Sequence, residues 1–236
     1  MSRWSYHIPI LGYHRIGAFR SDHVPTISAA AFERQLALLA ALRYRVLSLE
    51  QIARIVERGE RMPRHSVVIT FDDGYVETYT IAWPLLKRHH FSAAVFITPN
   101  EVNTPGFITW EQAAEMSRDG IVIGSHTLRH SYLPLVPPDR VAEELSESKR
   151  VIEERIGRPV KFLSYPVGGF TRQIQQQAQQ AGYAAACTTN RVASLNGPDQ
   201  FALRRIKITE RDAIVPLFLA KLSGYYDLFR QLRAPS

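Results

Sequence analysis

Short β-rich runs alternate with amphipathic segments along almost the whole chain. Apolar runs rich in branched and aromatic residues predict strands at 8–13, 44–47, 66–71, 93–98, 121–125, 162–165, 183–187 and 203–208. Between them, apolar positions recur at helical spacing. Phe32, Leu36, Leu39 and Leu42 form one stripe of a helix over 30–42, and Val141, Leu145, Ile152 and Ile156 one face of a helix over 139–156. Ser48 with Gln51, and Thr109 with Gln112, are capping boxes that open helices running to about Arg58 and Arg118. Pro84 starts the second part of a helical segment, and a Gln-rich helix covers 171–180. Strands that are apolar without alternation belong in a parallel sheet covered on both faces. Six to eight strand–helix units in 236 residues suit a single (β/α) barrel domain spanning the chain better than a small open sheet.

Composition narrows this picture. Hydrophobic residues make up 45% and charged residues 22%, enough to bury a core and too apolar for a disordered chain. The single Cys187 excludes intrachain disulfides and a thiolate-only zinc cluster. No apolar stretch approaches the roughly 18 residues that span a bilayer. The run at 8–13, broken by Pro9 and Gly12, is too short for the core of a secretory leader, so the chain as given is expected to be cytoplasmic or already trimmed. The net charge of +7 is scattered with no basic–aromatic run, which argues against a nucleic-acid partner.

In a barrel of this kind, chemistry collects at the carboxyl ends of the strands. Three polar clusters stand there. The first is Thr70-Phe71-Asp72-Asp73-Gly74. Consecutive strand residues point to opposite faces, so two adjacent carboxylates can serve one site only where the chain turns, as at Gly74. Taken alone, the run also fits an Asx turn that caps a helix, or a magnesium site for phosphoryl transfer. The second cluster is Ser125-His126-Thr127-Leu128-Arg129-His130, whose histidines would project from one side of a helical turn. Two imidazoles and one carboxylate make a three-ligand site with open positions, and nitrogen ligands favour a zinc-type ion over magnesium. The third is Leu163-Ser164-Tyr165-Pro166-Val167-Gly168-Gly169, a tight turn able to aim backbone N–H groups inward.

The set TFDDG, HTLRH and SYPVGG, in that order, resembles the polysaccharide deacetylase family, metal-dependent N-deacetylases of acetylated glycans. Leu11-Gly12-Tyr13-His14-Arg15 is similar to the family's N-terminal Tyr-His strand end, and Leu203-Arg204-Arg205-Ile206 to its late Arg-bearing strand, so the resemblance covers roughly residues 8 to 208. It implies an irregular (β/α) barrel of about seven strands. It further implies Asp72 as general base, Asp73, His126 and His130 as ligands of a divalent ion such as zinc, and the Tyr165 backbone N–H as oxyanion donor.

Two departures follow. Phe162 stands where many members carry an Arg that orients the base, which leaves Arg205 as its substitute. No histidine follows His130, so the C-terminal general acid of many members is missing, and His14 is the candidate in its place. The reading is removal of acetyl groups from an acetylated glycan. Its alternatives are hydrolysis of a small non-sugar amide, ureide or cyclic imide on the same barrel, and glycan binding without catalysis. His89 and His90 suit a solvated helix end, His7, His23 and His65 have no partner motif, Trp110 is expected in the core, and Cys187 reads as a small buried hydrophobe.

Overall fold

Strand-forming runs and helical stripes both appear where the pattern places them. The computed structural model describes residues 8–17, 24–190 and 199–226. The chain opens with β1 (Ile10–Tyr13), the two-residue strands β2 (Arg15–Ile16) and β3 (Thr26–Ile27), α1 (Ala29–Ala41), β4 (Arg45–Val46) and α2 (Leu49–Glu57). Next come β5 (Ser66–Phe71), a π-helical turn (Thr78–Ala82), α3 (Trp83–Arg88), β6 (Ala94–Ile97), α4 (Trp110–Arg118) and β7 (Val122–Ser125). The chain continues with α5 (Pro138–Ile156), β8 (Phe162–Ser164), α6 (Arg172–Gln180), β9 (Ala185–Thr188), β10 (Leu203–Lys207) and α7 (Val215–Leu222).

All sheet pairings are parallel, and the sheet closes. β1 pairs with β10 on one side and β5 on the other, setting Ile10 against both Arg205 and Val68. The ring of seven strands runs β1-β10-β9-β8-β7-β6-β5, and β4 adds to the start of β5. Closure leaves no long open edge.

Both capping boxes form, and Pro84 lies in the first turn of α3, where its missing N–H costs nothing. Phe32, Leu36 and Leu39 of α1 are fully buried, but Leu42 is 40% exposed because the helix ends one residue earlier and Leu42 caps it. The pattern did not predict β2, β3 or α7: the first two are too short to show a period, and α7 is apolar on both faces. Among the described residues, no helix is long and apolar enough to cross a membrane.

The strand parity decides what reaches the site. Along β5, Val67, Ile69 and Phe71 pack outward under the helices, whereas Val68 packs inward with Ile10, Phe96, Phe162 and Leu203. Thr70 and Asp72 continue the inward row. On β10 the same parity brings Arg205 inside after Leu203. Gly124 on β7 is obligatory in this interior, since a Cβ there would lie 2.6 Å from the Phe96 ring. Apolar side chains thus plug the barrel below, and polar ones gather at its carboxyl-terminal mouth.

Candidate metal-dependent active site

Asp72 leaves β5 on the inner face and is 2% exposed. Arg205 reaches it from across β1 and holds it bidentately, Nη1 donating to Oδ1 at 2.7 Å and Nη2 to Oδ2 at 2.5 Å. The guanidinium is itself oriented, donating to Ser164 Oγ at 2.8 Å and Thr70 Oγ1 at 3.2 Å. Burial alone would raise the Asp72 pKa; the adjoining Arg205 charge outweighs it and brings the carboxyl down to about 2. Phe162 lies in the apolar plug beneath, so the guanidinium beside Asp72 comes from β10, not β8.

Asp73 would point away from Asp72 if the strand continued. It does not: Asp73 has φ 70° and Gly74 φ 77°, and this left-handed pair swings the second carboxylate back to the mouth. Asp73 Oδ1 then lies 3.4 Å from His126 Nε2 and 3.3 Å from His130 Nε2, and the three ligand atoms fall within 4.8 Å of one another. That oxygen is buried without a hydrogen-bond partner. His126 Nδ1 lies 2.7 Å from the Ser164 carbonyl, which can only accept, so Nδ1 carries the proton and Nε2 offers its lone pair to the site. An orphaned carboxylate oxygen facing two imidazole nitrogens fits a divalent transition ion. His130 is half exposed, leaving one side open.

The two histidines do not share a helical turn, contrary to the expectation from their spacing. Residues 126–130 form an irregular loop with left-handed Thr127 (φ 65°) and His130 (φ 58°). The rings meet edge to face at 4.8 Å, brought together by the bend of the loop.

Tyr165 is a second correction. Its backbone N–H donates to the Cys187 carbonyl at 3.0 Å, completing the β8–β9 ladder, and its hydroxyl donates to the Phe201 carbonyl at 3.1 Å. It therefore has no N–H to offer an oxyanion. The peptide that the turn brings to the cavity is Val167, with φ 57°, whose N–H makes no hydrogen bond among the described residues. Pro166 hides this from sequence reasoning, because nothing in the motif says which flanking N–H remains after strand pairing.

His14 follows β1 as expected and enters the same cavity, with Nε2 3.8 Å from Asp72 Oδ2, too far for a hydrogen bond. Its Nδ1 is buried without a partner. Burial lowers its pKa, and the nearby Asp72 and Asp73 charges only partly offset this.

The cavity holds about 400 Å³. Beyond the residues above, Tyr75, Phe107, Glu101 and Lys207 line it. Tyr75 stacks on Phe107 at 5.0 Å and lies under the Arg15 guanidinium at 4.7 Å, while Arg15 is ion-paired to the buried Glu77. Sequence reasoning missed this wall and the double use of Ser164. Among the other described histidines, His65 stacks on Tyr44 and His89 on Phe91, away from this cavity; His7 and His23 lie outside the described residues. Trp110 packs against the core, and Cys187 is buried with its thiol pushed up to about 12 by burial.

A sequence profile of the polysaccharide deacetylase family matches residues 59–186, more than half of the chain. YxkH of Bacillus subtilis, a protein named for the same family, is 30% identical over 202 residues, covering 86% of this chain and 71% of its own. A poly-β-1,6-N-acetyl-D-glucosamine N-deacetylase of Staphylococcus aureus is 23% identical over 216 residues, 86% of this chain and 73% of that protein. Among solved structures, the Streptococcus pyogenes deacetylase PplD in complex with acetate superimposes with a TM-score of 0.81, over 92% of this chain and 97% of that one, at 25% identity.

Proposed function

The chain belongs to the polysaccharide deacetylase family, hydrolases of carbon–nitrogen bonds other than peptide bonds, and from that premise we propose that it removes N-acetyl groups from the N-acetylglucosamine residues of an oligo- or polysaccharide. The observation that carries this is the pairing of two carboxylates with different surroundings in one cavity. Asp72 is clamped and ionised, and Asp73 keeps an unpaired oxygen between two imidazole nitrogens. The substrate class is supported by the Staphylococcus aureus relative, which by name acts on poly-β-1,6-N-acetyl-D-glucosamine.

Asp73, His126 and His130 would hold one divalent transition ion, zinc by the chemistry of the donor set. When bound, such an ion supplies Lewis-acid chemistry, polarising an amide carbonyl and making water acidic near neutral pH. Asp72, kept in register by the Arg205 fork, takes the proton of the attacking water as the new carbon–oxygen bond forms. The Val167 N–H meets the negative charge that grows on the former carbonyl oxygen. As the carbon–nitrogen bond breaks, the amine needs a proton, and His14 is placed beside Asp72 to pass it on. Acetate and a free amino sugar leave.

The test is acetate release from β-1,6-linked N-acetylglucosamine oligomers, chitooligosaccharides and peptidoglycan fragments, with small cyclic imides and ureides alongside. The proposal expects acetate and new amines from the glycans. Turnover of the imides or ureides with none of the glycans would replace it by the small-amide reading, and turnover of neither would leave a glycan-binding relative.

A further inference from the structure

The loop that carries His126 and His130 has no repeating hydrogen bonds of its own and bends through two left-handed residues. A segment in such backbone geometry persists only where its surroundings impose it. Beside the bonds that His126 and Leu128 make with Ile97, Thr98, Asn100 and Ser164, two further ties hold it, and both of these lead to α5. At the leading end, Ser125 Oγ accepts the Thr127 N–H at 3.1 Å and lies 2.7 Å from Ser148 Oγ. Ser148 Oγ is in turn 3.1 Å from the Tyr183 hydroxyl, which reaches the Leu145 carbonyl at 2.9 Å. At the trailing end, the Glu144 carboxylate accepts the Arg129 backbone N–H at 2.9 Å and Arg129 Nη1 at 2.9 Å.

Glu144 and Ser148 are four residues apart, one turn along the same face of the helix. Both are buried, Glu144 at 3% and Ser148 at 0% exposure. The rest of that buried face is Val141, Leu145, Ile152 and Ile156. Packing a helix on a barrel needs only the apolar members, and burying a carboxylate carries a desolvation cost that only its hydrogen bonds offset. The two polar residues stand where the helix meets the two ends of the histidine loop.

We infer that Glu144 and Ser148 are positioning residues for the metal ligands, and that α5 acts as a template setting the separation of the His126 and His130 rings. The inference rests on the reading of Asp73, His126 and His130 as a metal site. Each tie reaches a histidine through the neighbouring residue: Ser148 through Ser125 and Thr127, Glu144 through Arg129. The loop is thereby shaped before any ion arrives, so less ordering is left to be done on binding.

The experiment titrates zinc into the full chain against a chromophoric chelator and records the visible spectrum of the cobalt(II)-loaded protein. The variants are Ser148→Ala, Glu144→Ala and Glu144→Gln, with Arg150→Ala as a control on the exposed face of the same helix. Metal-free melting temperatures report stability separately. Ser148→Ala and Glu144→Ala should each weaken zinc binding by about tenfold and alter the cobalt bands, at the low end of what outer residues of metal sites contribute. Glu144→Gln should recover part of the affinity, because its amide oxygen can still accept the Arg129 N–H. Arg150→Ala should bind as the parent does. If Glu144→Ala does not fold, Ser148→Ala and Glu144→Gln decide by the same criterion. Parental zinc affinity and cobalt spectrum in those variants, whatever happens to the melting temperature, would overturn the inference and make α5 a packing element only. A parent protein that binds no zinc would instead strike down the metal site itself.

Discussion

Asp72 and Asp73 are neighbours of identical chemistry, yet they sit in opposite kinds of surroundings. Asp72 has each oxygen matched to one nitrogen of Arg205 and is buried where it lines the cavity. Asp73 stands at the mouth with one buried oxygen unmatched. Burial pushes both carboxyls up. At Asp72 the Arg205 charge brings the value back to about 2, and at Asp73 the adjoining His126 and His130 imidazoles hold it well below the usual carboxylate range. One charge is thus neutralised by a fixed protein cation, while the other depends on positive charge that a proton or a metal ion can supply. A single backbone event, the left-handed turn at Asp73, creates the difference. It converts strand alternation, which would have separated the carboxylates, into convergence.

The sharpest way to break this comparison is to remove the open side. Asp73→Asn or His126→Ala should reduce bound metal to background and abolish acetate release with it, as read by elemental analysis beside the assay. Full occupancy in either variant would remove that residue from the ligand set.

Removing the closed side should act on the fold instead. Arg205→Met leaves Asp72 buried without its partner, a loss that typically costs about 3–5 kcal/mol. Chemical denaturation of the metal-free protein should show it, with the Asp72 pKa rising as the guanidinium is lost. An unchanged denaturation midpoint would mean that the pair contributes nothing net.

His14 lies between the two sides. His14→Gln should leave metal content intact and lower kcat by about 10²-fold. In the parent, the alkaline limb of the kcat/KM profile should fall below the ordinary histidine pKa, because burial favours the neutral ring. The variant should lack that limb. Near-parental activity with the limb retained would move the proton donor elsewhere, with Asp72 the next candidate.

The smallest effect is on acid stability. Asp72 has a depressed pKa in the fold, so its contribution is present above the unfolded value near 4 and is lost as pH falls toward 2. The metal-free protein should lose on the order of 2 kcal/mol over that window from this group. Asp72→Asn, lower in stability throughout, should lack that component of the pH dependence.

Much of this architecture was legible in the chain. Apolar runs and capping boxes located the barrel strands and principal helices, because burial on both sheet faces leaves an unmistakable pattern. The rule that chemistry gathers at strand ends pointed to His14, Asp72, Asp73, His126 and His130, the family resemblance added Arg205, and all six line one cavity. The failures share a cause. Spacing alone suggested a helical turn for His126 and His130, but the loop is shaped by contacts to Glu144 and Ser148 on a distant helix. Likewise, the turn motif pointed to the Tyr165 N–H, yet pairing with Cys187 consumes it. The role of Ser164 escaped notice because its work is split between a hydroxyl on Arg205 and a carbonyl on His126. Local sequence carries conformation well, and it is silent about which polar atoms are already spent on partners elsewhere in the fold.

The division between the neighbouring aspartates is tested most directly by metal content and acetate release measured together on Asp72→Asn and Asp73→Asn. Asp72→Asn should hold metal at the parental stoichiometry while acetate release falls by 10²–10⁴-fold, the usual range for a general base. Asp73→Asn should lose both. Equal loss of metal in the two variants, or full metal with full activity in Asp72→Asn, would contradict the account.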